Sequence, residues 1–379
     1  MSKILNFDSG IDFSGQAVKK ARLFRGLTMD ELARKCEVSH QMISKYENNR
    51  SVPTIEVIKK MSSTLNFPIG YFYSNQEISP DNNGFYRKAS KVSKRDKTRV
   101  AELATYANNI LNVIKEFVIL PKYNDPIEIR RTEVFEDISF EYIEEITLEI
   151  RNKFNFGRGP LINLTGFMES LGIIILFSDI SNLKIDAYTT FIDETPIIIL
   201  NSNKKSASRI RFNLAHELGH ILLHRDYRKK YENGGKYMRI EEEANFFAGT
   251  FLVPEQGLID DLTAINLQHL IVLKEHWQVS IAMLITRANQ CNFFSDTHAL
   301  HLWQQLSRNG WRKSEPLDDF IEIEKPVLIK QALDIFDRKN NKQSIQVISS
   351  KLKLFPEVVE EILYFTESGT SQRSNLKLL

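Results

Sequence analysis

The sequence predicts a multidomain chain with an all-α head, an α+β body and a helical C-terminal region. Its 379 residues are enough for two or three domains. The first 73 residues read as short, capped amphipathic helices separated by tight turns. From about residue 139, short apolar strands alternate with helical segments. These observations place a small helical domain in front of a larger mixed one.

The composition is that of a globular protein, with 42% hydrophobic and 26% charged residues. No apolar run approaches the roughly 20 residues that cross a bilayer. The N-terminal stretch "MSKILNFDSG" lacks the charged and apolar pattern of a signal peptide. Cys36 and Cys291 stand in no metal-binding or redox spacing. We therefore expect a cytoplasmic protein that does not associate with membranes.

The charge is unevenly distributed along the chain. Residues 1–100 carry 18 Lys and Arg against 10 Asp and Glu, whereas the remainder carries 32 against 38. A basic head on an acidic body favours a nucleic-acid partner for the head.

Local helix signals organise residues 14–73 into a helix-turn-helix domain. Thr28 and Glu31 form a capping box that begins one helix. The turn "CEVS" follows, and Ser39 is a good N-cap for the next helix. Pro53 and Thr54 begin another, with Ile55, Ile58, Met61 and Leu65 on one face. Short helices joined by such a turn are typical of DNA-binding domains.

In this arrangement Ala33, Val38 and Ile43 hold the two central helices together. The residues expected to project from the second helix toward base edges are His40, Gln41, Ser44 and Lys45. Lys35 and Arg50 are better placed for phosphates. The expected partner is a double-stranded DNA operator, and paired half-sites favour a homodimer. A small helical bundle that binds protein is the alternative.

The stretch from Leu27 to Asn66 resembles the Xre/Cro-type helix-turn-helix of repressors, and the resemblance covers about residues 14–73. The sequence departs from that pattern at Asn49, where the family usually has glycine. Asparagine tolerates a left-handed backbone, so the departure changes little.

Residues 74–138 are expected to form a basic linker and a connecting helix. The segment 87–100 contains seven basic residues in 14. A solvated linker is the default interpretation of such a run, with contact to DNA phosphate as the alternative.

The body begins with a helix that Ser139 can cap. A helix, a glycine turn and a strand follow in "GFMESLGIIILFS", and two further strands flank the turn "DET". A histidine-bearing helix begins near Ser206, and a helix from "IEEEANFF" ends at Pro254. "LQHLIVLKEHWQVSIAMLITRANQC" is helical as well. Residues 317–379 are expected to form a helical region, in which "IQVISSKLKLFPEVVEEILYF" has the outline of another helix-turn-helix. Because it lacks surface basic residues in the right place, packing or dimerisation is the favoured role.

His216, Glu217 and His220 form an HExxH pattern on the histidine-bearing helix. Two histidines four residues apart share a helix face and can bind one Zn²⁺. Glu217 then lies where it can take a proton from water bound to the metal.

A catalytic zinc site needs a third protein ligand. His224 lies one turn further along the same helix, about 6 Å along the axis, which is too far for a tight cluster. It is expected instead to hydrogen-bond near the site or to close the helix end. Glu241 can be the third ligand while Asn245, four residues later, orients a histidine. Periodicity leaves Glu242 and Glu243 open as alternatives.

"RFNLAHELGHILLH" and "EEEANFFAGTFLVP" together resemble the ImmA/IrrE-type zinc metallopeptidases. The resemblance covers residues 139–316 and implies a gluzincin-like fold. It implies metal ligands at His216, His220 and Glu241 and a catalytic role for Glu217. The family's ligand glutamate lies 13 residues before the closing proline, which selects Glu241. The metzincin pattern is excluded because it needs Gly and His where this chain has Leu223 and Asp226.

Two functions fit this combination. In one, the chain is a DNA-binding transcriptional regulator with a zinc-dependent endopeptidase, which cleaves a helix-turn-helix repressor in trans, as the resemblance implies, or itself in cis. In the other, it is a non-proteolytic transcription factor whose body senses a ligand or metal. Glu217 favours the peptidase, because a sensor needs the metal ligands but no general base. The fused helix-turn-helix domain favours the non-proteolytic regulator, because a free peptidase would not need its own DNA-binding domain. For the peptidase, Tyr231 and Tyr237 are candidate donors to the developing oxyanion.

Overall fold

The computed structural model describes residues 12–74, 85–86, 93–178, 186–192, 194–201, 206–227, 231, 234–340 and 343–363. Contacts between residues divide the chain into two compact units. Unit 1 comprises Met1–Asn83, Lys91–Leu120 and Ile329–Leu379, and unit 2 comprises Gly84–Ser90 and Pro121–Leu328. Unit 1 is therefore built from three separate stretches of the chain.

The described residues contain helices in both units, and the four described strands all lie in unit 2. In chain order the helices are α1 (Gly15–Phe24), α2 (Met29–Cys36), α3 (His40–Glu47), α4 (Ile55–Leu65), α5 (Lys94–Lys115), α6 (Phe140–Lys153), α7 (Leu164–Ser170), α8 (Ala207–Gly219), α9 (Gly235–Leu252), α10 (Glu255–Asp261), α11 (Leu267–Trp277), α12 (Ile281–Gln290), α13 (Asp296–Arg308), α14 (Leu328–Asn340), α15 (Ser344–Leu352) and α16 (Pro356–Leu363). The strands are β1 (Phe85–Tyr86), β2 (Ile174–Ser178), β3 (Ala187–Ile192) and β4 (Thr195–Asn201). A short 3-10 helix spans Ile69–Tyr73.

Side-chain caps define the helix starts that the sequence predicts. Thr28 and Glu31 form the reciprocal capping box at the start of α2. Ser39, Thr54 and Ser139 each accept a backbone N–H at the start of α3, α4 and α6. The turn between α2 and α3 is closed by a left-handed residue at position 37. The predicted helix-turn-helix is confirmed.

Unit 1 packs the helix-turn-helix with α5 and the C-terminal helices. Helix α5 contacts α1, α15 and α16. The Arg25 guanidinium pairs with the Glu361 carboxylate at 2.7 Å. The Tyr71 and Tyr106 hydroxyls, both buried, share a hydrogen bond of 2.5 Å. The expected packing role of the C-terminal helices agrees with these contacts, whereas the last residues lie outside the described part of the chain.

Unit 2 is built around a four-stranded sheet in the order β1-β3-β4-β2. Strand β4 pairs antiparallel with β3 and parallel with β2, and Ile197–Leu200 at its centre are fully buried. Helix α8 packs against α7, α9 and β3, and α9 also packs against α6. The α+β architecture expected for the body is confirmed.

Gly219 at the end of α8 permits the close approach of α9. A Cβ at this position would lie 3.1–3.2 Å from the Phe247 side chain, tighter than ordinary packing. The contact brings α9, with Glu241 and Asn245, against the helix that carries the histidines.

Three details differ from the sequence prediction. Helix α9 begins at Gly235, five residues before the expected "IEEE" start. Ile55 was expected on the buried face of α4, but it is 41% exposed because it occupies the first position of the helix. The segment Leu267–Gln290 is divided into α11 and α12 by a left-handed residue, Gln278.

The domain bounds expected from the sequence, 14–73, 74–138, 139–316 and 317–379, stay a prediction. Among the described residues, no helix is both long and apolar enough to cross a membrane.

Candidate functional site

The residues predicted to read DNA lie on the surface of unit 1. His40, Gln41 and Lys45 are exposed on α3, and Ser44 is half-buried. Lys35 at the end of α2 and Arg50 beyond α3 are exposed as well. Their exposure leaves these polar groups accessible to a ligand, as the helix-turn-helix model requires.

The opposite side of α3 is fixed to the domain core. Ile43 is fully buried, and Ala33 of α2 is 3% exposed. The sequence prediction missed a buried ion pair, in which the Arg22 guanidinium binds both carboxylate oxygens of Glu47 at 2.5 and 2.8 Å. This bidentate contact joins α1 to α3 and sets how α3 is presented.

Asn49 ends the recognition region in the left-handed conformation, with φ of 54°. Its side-chain oxygen accepts the Gly15 backbone N–H at 2.7 Å. The departure from the usual glycine therefore keeps the backbone shape and adds a hydrogen bond to α1.

The histidines of unit 2 form a buried row. His216 lies in α8, and His220 and His224 lie in a π-helical turn, His220–His224, that continues it. All three are 0% exposed. The two Nε2 atoms of His216 and His220 are 2.9 Å apart. A π-helical turn of this kind is frequent at functional sites.

Glu241 from α9 completes a group that can hold a metal ion. Its carboxylate oxygens lie 3.5 Å from His216 Nε2 and 3.3 Å from His220 Nε2. One donor atom from each of the three residues lies within 4.8 Å of the others. Burial alone would raise the pKa of Glu241, but attraction to His220 and hydrogen bonds with His216 and His220 outweigh it and hold the pKa well below its usual range.

The two alternative glutamates lie elsewhere. The Glu242 side chain is 60% exposed and pairs with Arg239. Glu243 is 0% exposed and faces His224, with 3.0 Å between its Oε2 and His224 Nε2. Geometry thus separates three consecutive glutamates that helical periodicity could not.

Asn245 and His224 each contact one histidine of the metal-binding group. The Asn245 side-chain oxygen is 2.9 Å from His216 Nδ1. His224 Nδ1 is 2.9 Å from His220 Nδ1. Both therefore lie in hydrogen-bond contact with the histidines, and their roles at a metal site stay a prediction.

Glu217 is buried, and one of its carboxylate oxygens is left without a partner. Oε2 accepts the Thr189 hydroxyl of β3 at 2.7 Å. Oε1 has no hydrogen-bond partner among the described residues. A buried carboxylate oxygen without a hydrogen-bond partner is uncommon in proteins. The sequence did not signal Thr189.

A cavity of about 630 Å³ borders the group at Glu241 and Asn245. Phe140, Tyr237 and Phe246 also line it. Of the two tyrosines suggested by the sequence, Tyr237 therefore lies at this cavity, while Tyr231 packs against Phe135 with ring centroids 5.7 Å apart.

Two segments of the chain match models of known protein families. Residues 168–289 match the model of the IrrE N-terminal-like domain, and residues 18–72 match that of the helix-turn-helix. No curated protein matches the chain. Among solved structures, the chain is similar to PlcR of Bacillus thuringiensis in complex with the peptide PapR7 and DNA, at 12% identity over 92% of this chain and 90% of that one. The TM-score of that match is 0.15, too low to indicate a shared fold.

The first matched segment contains His216, Glu217, His220 and Glu241, and the second contains α2 and α3. The chain joins a helix-turn-helix DNA-binding region to an IrrE N-terminal-like, peptidase-like domain.

Proposed function

We propose that the protein is a DNA-binding transcriptional regulator whose body is a zinc-dependent endopeptidase. The observation that carries the proposal is the convergence of His216, His220 and Glu241. Glu217 follows His216 in the same helix, and one of its carboxylate oxygens has no hydrogen-bond partner in the described part of the chain. Two histidines and a glutamate that converge in a largely buried position form a donor set suited to a divalent metal ion.

The donor set suits zinc. Two imidazole nitrogens and one carboxylate oxygen, with a fourth position for water, are a common catalytic zinc set. At bond lengths of about 2.0–2.2 Å, the ligand atoms of a tetrahedral zinc lie roughly 3.3–3.6 Å apart. The corresponding separations here are 2.9, 3.3 and 3.5 Å, so small side-chain adjustments accommodate the ion.

His216, His220 and Glu241 would hold the zinc ion, which would supply a Lewis acid for peptide hydrolysis. Glu217 accepts a proton from the attacking water at Oε1 and delivers it to the leaving amine. Thr189 holds Oε2 and so fixes the orientation of the carboxylate. Tyr237, at the adjoining cavity, is the better candidate of the two tyrosines for the oxyanion donor.

The helix-turn-helix domain brings the peptidase to DNA. We assign base contacts to His40, Gln41, Ser44 and Lys45, and phosphate contacts to Lys35 and Arg50. The operator is double-stranded DNA with paired half-sites, bound by a homodimer. The substrate is a helix-turn-helix repressor cut in trans, or this chain cut in cis.

Zinc content of the purified full chain, measured by elemental analysis, tests the metal site. We expect about one zinc per chain, lost in Glu241→Gln and kept in Glu242→Gln, since the Glu242 side chain points away from the group. Absence of zinc from the wild-type chain, even after zinc is added, would exclude a zinc peptidase.

Cleavage is tested separately with two probes, the chain itself followed by intact mass and a mixed-sequence fluorogenic peptide library. Glu217→Gln should keep zinc and DNA binding and lower kcat by about 10²–10⁴-fold, because the general base is lost. Wild-type cleavage by that variant would contradict the role of Glu217. A zinc-loaded wild-type chain that cuts neither probe would instead support the alternative, a non-proteolytic regulator that senses a ligand or metal.

A further inference from the structure

Two buried ionisable residues beside the metal-binding group have no part in the proposed chemistry. His224 and Glu243 are each 0% exposed. Burial of such groups is tolerated only when their polar atoms are paired. Their partners connect them, one after another, to His220.

Glu243 is held as a hydrogen-bond acceptor. Its Oε1 accepts the Arg239 guanidinium and the Ile138 backbone N–H, each at 2.9 Å. Its Oε2 lies 3.0 Å from His224 Nε2. A carboxylate paired with arginine has only acceptor oxygens. The hydrogen of this last contact therefore belongs to His224 Nε2.

This assignment determines the protons of the next ring. We take His224 as neutral. An imidazole with its single hydrogen on Nε2 then has a lone pair on Nδ1. His224 Nδ1 lies 2.9 Å from His220 Nδ1, so His220 Nδ1–H is the donor in that contact. His220 then has its own lone pair on Nε2, the atom that faces His216 and Glu241.

The two metal-facing histidines are supported differently. His216 Nδ1 contacts the side-chain oxygen of Asn245, an exposed neutral residue. His220 is supported by a buried chain that ends in the Glu243 carboxylate and the Arg239 guanidinium. Hydrogen bonds of this kind orient a ligating histidine and increase its basicity.

We infer that Glu243 and His224 are positioning residues that fix the tautomer of His220, so that its Nε2 presents a lone pair to a metal ion. The inference rests on the proposed function in that the ion is the zinc of the peptidase. It adds a carboxylate–histidine–histidine chain to the residues that determine metal affinity. Arg239, from the same helix as Glu243, supports the end of the chain.

The direct test is the tautomeric state of His220 and His224 in the zinc-loaded full chain. Histidines labelled with ¹⁵N report which ring nitrogen carries hydrogen and which binds metal. We expect zinc on His220 Nε2, hydrogen on His220 Nδ1 and hydrogen on His224 Nε2. Zinc on His220 Nδ1, or hydrogen on His224 Nδ1, would overturn the inference.

Zinc affinity, measured by competition with a chelator, is the second test. His224→Leu removes the acceptor for His220 Nδ1–H, and we expect a 10–100-fold weaker Kd. His224→Gln retains a side-chain carbonyl that can accept the same hydrogen, and it should recover part of the loss. Glu243→Gln keeps the side-chain shape and should weaken the Kd in the same direction.

Tyr227→Phe is the matched control. The Tyr227 ring packs against His224 at 5.9 Å, and its hydroxyl has no hydrogen-bond partner among the described residues. This variant should keep the wild-type Kd. His224→Leu with the wild-type Kd would overturn the inference, as would equal weakening by Tyr227→Phe.

The outcomes separate the two proposals. A chain without zinc contradicts both. Zinc bound with a different tautomer contradicts only the positioning role. The expected tautomers and affinities without any peptide cleavage contradict only the peptidase.

Discussion

The hydrogen bond between Thr189 and Glu217 gives a quantitative test of the site. Both residues are 0% exposed, and the Thr189 hydroxyl lies 2.7 Å from Glu217 Oε2. Since Oε1 has no partner among the described residues, this is the one hydrogen bond described for the carboxylate. Thr189→Val removes the donor with almost no change in side-chain volume.

The expected cost is worked for an ionised Glu217 acceptor, the state that a general base requires. A hydrogen bond to a charged group contributes about 1.5–3 kcal/mol, and the loss is largest when the remaining partner stays buried. Thr189→Val should therefore lower the free energy of unfolding of unit 2 by about 1.5–3 kcal/mol. For a unit of about 200 residues, this corresponds to roughly 3–12 °C in Tm.

Urea unfolding followed by tryptophan fluorescence measures this loss, because Trp277, Trp303 and Trp311 all lie in unit 2. A chelator should be present, so that metal binding does not add to the stability. Thr190→Val is the matched control, since the next residue of a strand faces the opposite side of the sheet.

A double-mutant cycle isolates the pair. In a Glu217→Leu background the acceptor is absent, so Thr189→Val should be neutral or stabilising. An equal loss in both backgrounds would show that the effect comes from strand packing, and the reasoning about the Thr189–Glu217 contact would be refuted.

Three further predictions concern unit 1. Lys45→Ala should weaken binding to a DNA fragment selected by the chain by about 1–3 kcal/mol, and it should weaken binding to random DNA much less. Gel-shift titrations measure both affinities. Equal weakening on the two DNAs would show that Lys45 contacts only phosphate. Gly15→Ala should destabilise unit 1 by more than 1 kcal/mol, because the alanine Cβ would lie 2.0 Å from the Tyr46 carbonyl oxygen. Urea unfolding followed by circular dichroism measures this loss. A variant with wild-type stability would contradict the close contact. Burial raises the pKa of Glu102 above its ordinary 4.5. The protonated carboxyl therefore stabilises the folded state below pH 4.5, and this stabilisation is lost as the pH rises through the higher pKa of the folded state. Glu102→Gln should remove this part of the pH dependence and be more stable than wild type at pH 7, and an unchanged pH profile would contradict it.

The sequence predicts best what local chemistry determines. The helix starts at Thr28, Ser39, Thr54 and Ser139 follow from side chains that bond to backbone groups three residues away. The shared face of His216 and His220 follows from helical spacing alone. These features need no knowledge of the rest of the fold.

Contacts between distant segments were not predictable in this way. Which of Glu241, Glu242 and Glu243 faces the histidines depends on the rotation of α9 against α8, which the Gly219–Phe247 contact influences. Residue spacing left all three open, and only the family resemblance selected Glu241. The Thr189 partner of Glu217 depends on the placement of β3, and neither residue type signals it.

The set of helices that forms unit 1 was also not predictable from the sequence. Nothing in the periodicity of α15 or α16 indicates that they contact α5. Such contacts join residues that are far apart along the chain, and local patterns carry no information about them.

The three-part construction of unit 1 has a consequence for how the chain is made and cut. The Arg25–Glu361 contact spans 336 positions, so unit 1 can be completed only after α16 has been synthesised. The Lys351–Glu116 ion pair joins the parts of unit 1 that lie on either side of residues 121–328. A single break within residues 121–328 would therefore leave both fragments associated through unit 1. Such a nicked protein would show two bands on a denaturing gel and elute as one species under native conditions.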